Sequence, residues 1–205
     1  MASSGTLLKT PLPRSARRRR VPESMTLREF EAFDTEQDEN WELVEGVPYM
    51  APSARAPHNN LARLLCAYIE SILTIADGWY SVVDTSARFP ERQSQVRPDV
   101  ATYKQADLKD PNRIPIRAVP ALLVECLSPS NASFDLNEKK ELCYKVAVAE
   151  YWVVDPNTGA ISLFVRKKQG YEQLAVDELG FIASPLLKRS IRIIVKQWEF
   201  EIVEA

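Results

Sequence analysis

An apolar run with one carboxylate in its middle constrains this chain more than any other stretch. The run is PALLVECL, at residues 120–127, and its aliphatic residues predict a buried strand. The alternation of side chains along a strand places Leu123, Glu125 and Leu127 on one face. A buried, unpaired carboxylate costs several kcal/mol unless it becomes neutral. Glu125 therefore needs a cation, a hydrogen-bond donor or a cleft that opens to solvent.

The composition is that of an ordinary globular protein. The chain has 205 residues, of which 45% are hydrophobic and 26% charged, which is enough for one packed core and too little for two large ones. No apolar stretch has the length of a membrane-spanning helix and no secretory signal opens the chain, so we expect a cytoplasmic protein without membrane contact. The cysteines are odd in number and far apart, which predicts small core residues and neither a disulfide framework nor a zinc site: Cys66, Cys126 and Cys143.

The first 24 residues differ in charge from the rest. They hold Lys9, Arg14 and the run Arg17 to Arg20 against Glu23 alone, so their net charge is about +5 and that of the remainder about −7, for a total of −2. A segment rich in Ser, Pro and Arg buries too little apolar surface to offset its ordering entropy, so we expect a disordered tail. Four consecutive arginines suit a polyanion such as nucleic acid, and a solvated extension without a function is at least as good an interpretation.

Periodicity and turn residues predict a mixed α/β (α+β) chain, folded as a single domain over residues 25–205. Thr26 and Glu29 form a capping box that opens a short helix. Strands are expected on both sides of Glu45–Gly46, and Asp155 to Gly159 reads as a hairpin turn. The remaining predicted elements are an amphipathic helix at 60–76, one strand each at 79–89, 97–103 and 120–127, a helix at 135–148, and strands at 150–155, 161–167, 171–176 and 191–195.

Two carboxylates on neighbouring predicted strands suggest a metal site. Asp99 follows Pro98 at the mouth of one strand, and Glu125 lies in the next strong strand. Mg²⁺ favours one or two carboxylates together with waters and phosphate oxygens. Lys139, on the following helix, has a stem long enough to reach back to these acids. Two carboxylates, a metal and a lysine suit phosphodiester hydrolysis, in which the metal activates water and the ammonium stabilises developing charge.

Five segments of the chain resemble the Uma-two family of restriction-endonuclease-like proteins, within the PD-(D/E)XK nuclease superfamily. They are WELVEG, HNNLARLL, RPDVATY, LLVECLSPSNASFDLNEKKELCY and EYWVVDP, and the likeness covers roughly residues 25–170. Pro98-Asp99 matches the PD half of the motif, and Glu125 matches the acidic position of the second half. Leu127 stands in the place of the lysine, which in this family comes from the next helix, at the position that Lys139 holds.

The resemblance implies a fold and an activity. The fold is a restriction-endonuclease-like core of order α-β-β-β-α-β, with a mixed central sheet flanked by helices and extra C-terminal strands. The activity is that of a metal-dependent endonuclease with Mg²⁺ or Mn²⁺, acting on nucleic acid and preferably DNA, and a homodimer is a further expectation. Asp99 and Glu125 would hold the metal and act with Lys139, and Glu42 in WELVEG matches an acidic position of the family. Cys143 and Ala147 depart from the usual tyrosine and glycine, outside the metal site.

Several of these residues also have a structural interpretation. Asp135 followed by Glu138 is a good helix N-cap with its capping-box partner, and Asp135 with Lys139 is an ordinary i,i+4 pair; we favour a structural role for Asp135. Lys140 is an alternative to Lys139, and only the spacing that matches the family pattern favours Lys139. His58, the single histidine, fits a site base or a residue behind the metal ligands, although a lone histidine is more often a capping or surface residue.

Other functional classes fit less well. No GxSxG elbow or glycine-rich phosphate loop occurs, and a glycosidase built on Asp99 and Glu125 leaves Lys139 without a role. The alternative that stays open is a nuclease-like fold without catalytic activity, acting as a nucleic-acid or protein interaction module. The acidic charge of the folded part favours that alternative, because DNA-binding proteins usually show a basic face.

Overall fold

The computed structural model describes residues 21–34, 40–51, 56–110, 112–128, 131–197 and 199–205. The first 20 residues of the expected tail lie outside this range, so the division into a tail and a domain from residue 25 stays a prediction. The described helices are α1 (Leu27–Asp34), α2 (Ala56–Ile72), α3 (Ala132–Phe134) and α4 (Lys140–Lys145). The described strands are β1 (Asn40–Val44), β2 (Val47–Ala51), β3 (Trp79–Val83), β4 (Ala87–Phe89), β5 (Ser94–Val96), β6 (Val100–Lys104), β7 (Leu122–Cys126), β8 (Glu150–Val154), β9 (Ile161–Lys167), β10 (Gly170–Gln173), β11 (Ile182–Ser184), β12 (Arg189–Lys196) and β13 (Glu199–Glu204).

The central sheet has six strands in the order β10-β9-β8-β7-β6-β3. Only β7 and β8 are parallel in it, and the other neighbours are antiparallel. The parallel pair follows from its connection, because the chain crosses from β7 to β8 through α3 and α4. All five residues of β7 and all five of β8 are buried, so the predicted buried strand around Glu125 is confirmed at the middle of the sheet.

The two faces of the central sheet are covered by different layers. On one face, α2 and the three-stranded sheet β11-β12-β13 bury an apolar cluster that includes Leu65, Val124 and Ile193. On the other face, the α4 helix packs Cys143 against Leu123 and Tyr151. Glu125 belongs to the same strand face as Leu123 and therefore faces the α4 layer.

The N-terminal part confirms the predicted cap and hairpin. The backbone N–H of Thr26 donates to Oε2 of Glu29 at 2.8 Å and the N–H of Glu29 donates to Oγ1 of Thr26 at 3.3 Å, which is the reciprocal capping box. β1 and β2 form an antiparallel hairpin, and Glu45 has the left-handed φ of 48° that its two-residue turn requires.

The segment predicted as one strand over residues 79–89 contains two strands in different sheets. β3 lies at the edge of the central sheet, and β4 lies at the edge of a four-stranded sheet of order β2-β1-β5-β4. The break falls at Asp84, whose φ is 48°, because a residue in the left-handed region cannot continue an extended strand. The short strand β5 was not predicted.

Both long helices differ from their predicted limits. α2 begins at Ala56 and ends at Ile72, so it begins and ends four residues earlier than predicted. The helix does not continue to residue 76 because the chain turns at Thr74, whose carbonyl accepts the N–H of Asp77 at 3.1 Å. The predicted helix at 135–148 begins at Ala132 and ends at Lys145, and its middle, Asp135–Lys139, is a π-helical turn. Such a turn holds one residue more than an α-helical turn and is frequently found at functional sites.

The C-terminal half contains the predicted strands and two further ones. The turn at Asp155 to Gly159 is confirmed, with the Gly159 N–H donating to the Asp155 carbonyl at 2.8 Å. β11 and β13 were not predicted. The three cysteines are buried and unpaired, as expected of core residues, and within the described ranges no helix is long and apolar enough to cross a membrane.

Candidate active site

The pairing of β6 with β7 brings the two predicted metal ligands to the same level. Val100 pairs with Val124 in this antiparallel ladder. Asp99 precedes Val100 and Glu125 follows Val124, so these two residues lie opposite each other. Oδ2 of Asp99 accepts a hydrogen bond of 2.6 Å from the backbone N–H of Cys126. The side chain of Asp99 therefore bonds to the backbone of the neighbouring strand just before β6 begins.

Lys139 is the cation that Glu125 requires. Its Nζ lies 2.8 Å from Oε1 of Glu125 and 2.9 Å from Oε1 of Glu42. The side chains of Glu125, Lys139 and Glu42 are only 5%, 3% and 3% exposed. Lys140 lies instead with its Nζ 4.5 Å from the centre of the Phe164 ring. Of the two adjacent lysines, the structure brings Lys139 to the carboxylates.

Glu42 links the four-stranded sheet to this cluster. It lies in the middle of β1, and its Oε1 accepts hydrogen bonds from Nζ of Lys139 at 2.9 Å and from the backbone N–H of Arg97 at 2.5 Å. Two donors on one oxygen fix the carboxylate in place. The position matched by family resemblance is therefore in direct contact with the predicted lysine.

Asp135 does not cap a helix. It has helical dihedral angles, with φ −66° and ψ −36°, and the residue that precedes α3 is Asn131, so the N-cap interpretation is wrong. Its side chain is buried, one helical turn before Lys139, and burial raises the pKa of this carboxyl to about 6. An exposed i,i+4 pair of Asp135 and Lys139 is excluded as well, because both side chains are buried.

His58 contacts Asp99, so the interpretation as a surface residue is wrong. It lies in the first turn of α2, its side chain is 13% exposed, and its Nε2 is 3.1 Å from Oδ2 of Asp99. Burial alone would lower the pKa of the imidazole, but the hydrogen bond and the charge of Asp99 raise it above its ordinary value. The sequence makes His58 a candidate but gives no reason to choose it, because no local sequence pattern predicts which strand the start of α2 approaches.

The cluster holds more negative than positive groups. Burial raises the pKa of Glu125 well above its ordinary value, the charge of Lys139 opposes this rise, and the charges of Asp135, Asp99 and Glu42 add to it. Burial alone would lower the pKa of Lys139, but Glu125, Glu42 and Asp135 together raise it well above its usual range. Four carboxyl groups thus share one lysine and one histidine in a buried setting.

The donor set fits a divalent cation. Glu125 and Asp99 supply carboxylate oxygens, and the ammonium of Lys139 lies 2.8 Å from the buried Oε1 of Glu125. Within the described part of the chain, no three His, Cys, Asp or Glu side chains converge into a ready-made cage. Mg²⁺ does not need one, because it binds through one or two carboxylates and completes its shell with waters and phosphate oxygens.

The mixed α/β fold of this chain is shared with a protein of known structure. The chain is similar to a solved structure from Anabaena variabilis ATCC 29413, described as a "putative nuclease belonging to DUF820", with a TM-score of 0.63 and 18% sequence identity over 80% of this chain and 91% of that one. At this identity the likeness concerns the fold. Among curated proteins no match to the chain was found.

The sequence assigns the family. The profile of the Uma2 family, described as "Putative restriction endonuclease", matches residues 27–194. Because the match spans most of the chain, this protein belongs to the Uma2 family, and the expected family and fold are both confirmed. Asp99, Glu125, Lys139 and Glu42 all fall inside the matched range.

Proposed function

We propose that this protein is a metal-dependent endonuclease that hydrolyses phosphodiester bonds of DNA with Mg²⁺ or Mn²⁺. One observation carries the proposal: Asp99 and Glu125 lie opposite each other across two strands, and the ammonium of Lys139 is 2.8 Å from Glu125. A purely structural core would not place three carboxyl groups around one lysine and a fourth against one histidine, because buried like charges repel. Membership of a family described as "Putative restriction endonuclease" supports the same activity.

The reaction needs groups that the cluster provides. In hydrolysis, a water oxygen bonds to phosphorus, the bond from phosphorus to one ester oxygen breaks, the water loses a proton and the departing oxygen gains one. A bound divalent ion supplies a Lewis acid that acidifies this water and neutralises phosphate charge. Asp99 and Glu125 would hold the ion through their carboxylate oxygens.

Lys139 has two tasks in this proposal. Its ammonium opposes the rise that burial causes in the pKa of Glu125 and so favours the ionised carboxylate, which is the form that binds a hard cation. Its positive charge would also stabilise the negative charge that develops on a phosphate held at Asp99 and Glu125, which lowers the energy of the transition state. Glu42 also holds the ammonium in place, through its contact of 2.9 Å.

The proposal is tested by cleavage of supercoiled, linear double-stranded and single-stranded DNA, with single-stranded RNA beside them, in Mg²⁺, in Mn²⁺ and in a chelator. We expect DNA cleavage that requires the metal and is lost in Asp99→Asn. Asp107→Asn is the matched control, since Asp107 is exposed and lies outside the cluster. Calorimetry should also show that the Asp99→Asn/Glu125→Gln double variant binds Mn²⁺ more weakly than wild type.

Two results would remove the proposal. If Asp99→Asn cleaves as fast as wild type, the cluster is not the active site. If wild type cleaves no nucleic acid with either metal, the protein is better described as a nuclease fold that acts as an interaction module. Binding of labelled DNA without cleavage would then separate a nucleic-acid module from a protein-binding one.

A further inference from the structure

His58 contacts the candidate metal site without belonging to its ligands. It comes from α2, on the opposite face of the central sheet from α4, and reaches the strand edge where Asp99 precedes β6. The contact is 3.1 Å between Nε2 and Oδ2 of Asp99. Since a carboxylate oxygen accepts, Nε2 carries the hydrogen and donates it.

Two donors converge on the same oxygen of Asp99. The backbone N–H of Cys126 donates to Oδ2 at 2.6 Å and Nε2 of His58 lies 3.1 Å from it. A carboxylate oxygen has two lone-pair positions, so these contacts use the capacity of Oδ2. Oδ1 is then the oxygen of Asp99 that is left for an ion.

The contact with His58 restricts the rotation of the Asp99 carboxylate, which the N–H of Cys126 alone does not. The N–H of Cys126 holds the position of Oδ2, but one hydrogen bond leaves the carboxylate plane free to turn about that contact. A donor from α2 meets the same oxygen from another direction and limits this rotation, so Oδ1 points in one direction before an ion arrives. Contacts of this kind behind a metal ligand are typically worth about 10–100-fold in metal affinity.

We propose that His58 is a positioning residue of the metal site, which fixes Asp99 so that this aspartate binds a divalent ion through Oδ1 alone. The inference rests on the proposed function, because it requires that Asp99 is a ligand. The role needs a hydrogen-bond donor at the place of Nε2 and nothing else of the imidazole. The histidine is therefore replaceable by another side chain that presents an N–H at that place.

Two substitutions separate this role from others. His58→Leu removes the donor, while His58→Gln keeps an N–H at nearly the position of Nε2. Calorimetric titration of the full chain with Mn²⁺, without nucleic acid, should show affinity that is about 10–100-fold weaker in His58→Leu and within a few-fold of wild type in His58→Gln. In cleavage assays, His58→Leu should need more metal and should regain the wild-type turnover when the metal is saturating.

The outcomes are distinct. If His58→Leu binds Mn²⁺ as tightly as wild type while Asp99→Asn does not, the inference is overturned and the proposed function stands. A turnover that stays low in His58→Leu at saturating metal overturns it too, because the histidine would then act in the chemistry. Equal loss of affinity in His58→Gln contradicts the donor role, and thermal denaturation without metal shows whether either variant is unfolded. A wild type that binds no divalent ion overturns the inference and the metal site together.

Discussion

Replacement of Lys139 by methionine tests the centre of the candidate site most directly. Methionine has a stem of similar length and volume but no charge, so the substitution removes the ammonium and leaves the apolar packing. In the protein this ammonium lies 2.8 Å from Glu125 and 2.9 Å from Glu42. The variant thus keeps two buried carboxyl groups without their cation.

The structure sets the expected magnitudes. Removal of one partner from a buried ion pair costs about 3–5 kcal/mol, because the remaining charge has no compensation. For a chain of this size, each kcal/mol lowers the melting temperature by about 2–4 °C, so Lys139→Met should melt about 6–20 °C below wild type. Loss of one preorganised positive group costs about 10²–10³ in turnover. Lys139→Met should therefore lose both stability and cleavage.

The assay must separate these two losses. Metal-dependent cleavage is measured at saturating DNA and metal, at a temperature where circular dichroism shows that the variant is folded. Lys140→Met is the matched control, since the neighbouring lysine lies over the Phe164 ring and not at the carboxylates. The control should retain the wild-type turnover and nearly the wild-type melting temperature.

Three results would count against the reasoning. A folded Lys139→Met that cleaves within a few-fold of wild type would show that the ammonium has no part in the chemistry. An unchanged melting temperature would contradict the buried ion pair itself. If Lys140→Met abolishes cleavage while Lys139→Met does not, the wrong lysine has been assigned.

Further predictions concern charge and backbone. The pKa of Asp135 is about 6 in the folded protein against an ordinary value of 3.8, so this carboxyl favours folding below pH 3.8 and loses that contribution as the pH rises through 6, by about 3 kcal/mol in all at about 1.4 kcal/mol per pH unit. In denaturation experiments with a chelator present, Asp135→Asn should therefore gain stability relative to wild type between pH 4 and 7.5. A constant difference in stability would contradict this. Deletion of residues 1–24 should weaken DNA affinity most at low salt, whereas an unchanged affinity across a salt series would make the tail a passive extension. Gly159→Ala should destabilise more than Gly180→Ala in urea denaturation, because both have positive φ but only a Cβ at Gly159 would collide with the backbone carbonyl oxygen of Ile193. Equal losses would show that this contact relaxes.

The carboxylate in the apolar run illustrates how far the sequence reaches. That Glu125 lies in a buried strand and needs a partner follows from local chemistry alone, since the apolar neighbours predict burial and burial of a charge has a known cost. The same reasoning makes Asp99 a candidate site residue together with Glu125. The choice between Lys139 and Lys140 does not follow from local chemistry, because adjacent helical residues differ only in direction, and family resemblance was needed to prefer Lys139.

Other site residues depend on contacts between distant parts of the chain. Asp135 has the local pattern of an N-cap, and the helix in fact begins earlier and buries it in a π-helical turn. His58 has no local signal, and only the packing of α2 brings it to Asp99, 41 positions away. The single strand expected over residues 79–89 is divided because Asp84 adopts a left-handed φ, which β propensity does not report.

The sequence by itself determined the order of most elements, the buried strand around Glu125, the capping box and hairpin turns, and the family to which the chain belongs. These depend on neighbouring residues, whose periodicity, turn chemistry and spacing act over a few positions. Only the tertiary structure decided the register that sets Asp99 opposite Glu125, the ion pairs of Lys139 and the contact of His58. Those depend on strand pairing and helix packing across tens of residues, where the burial of one shared core, and no local preference, selects which side chains meet.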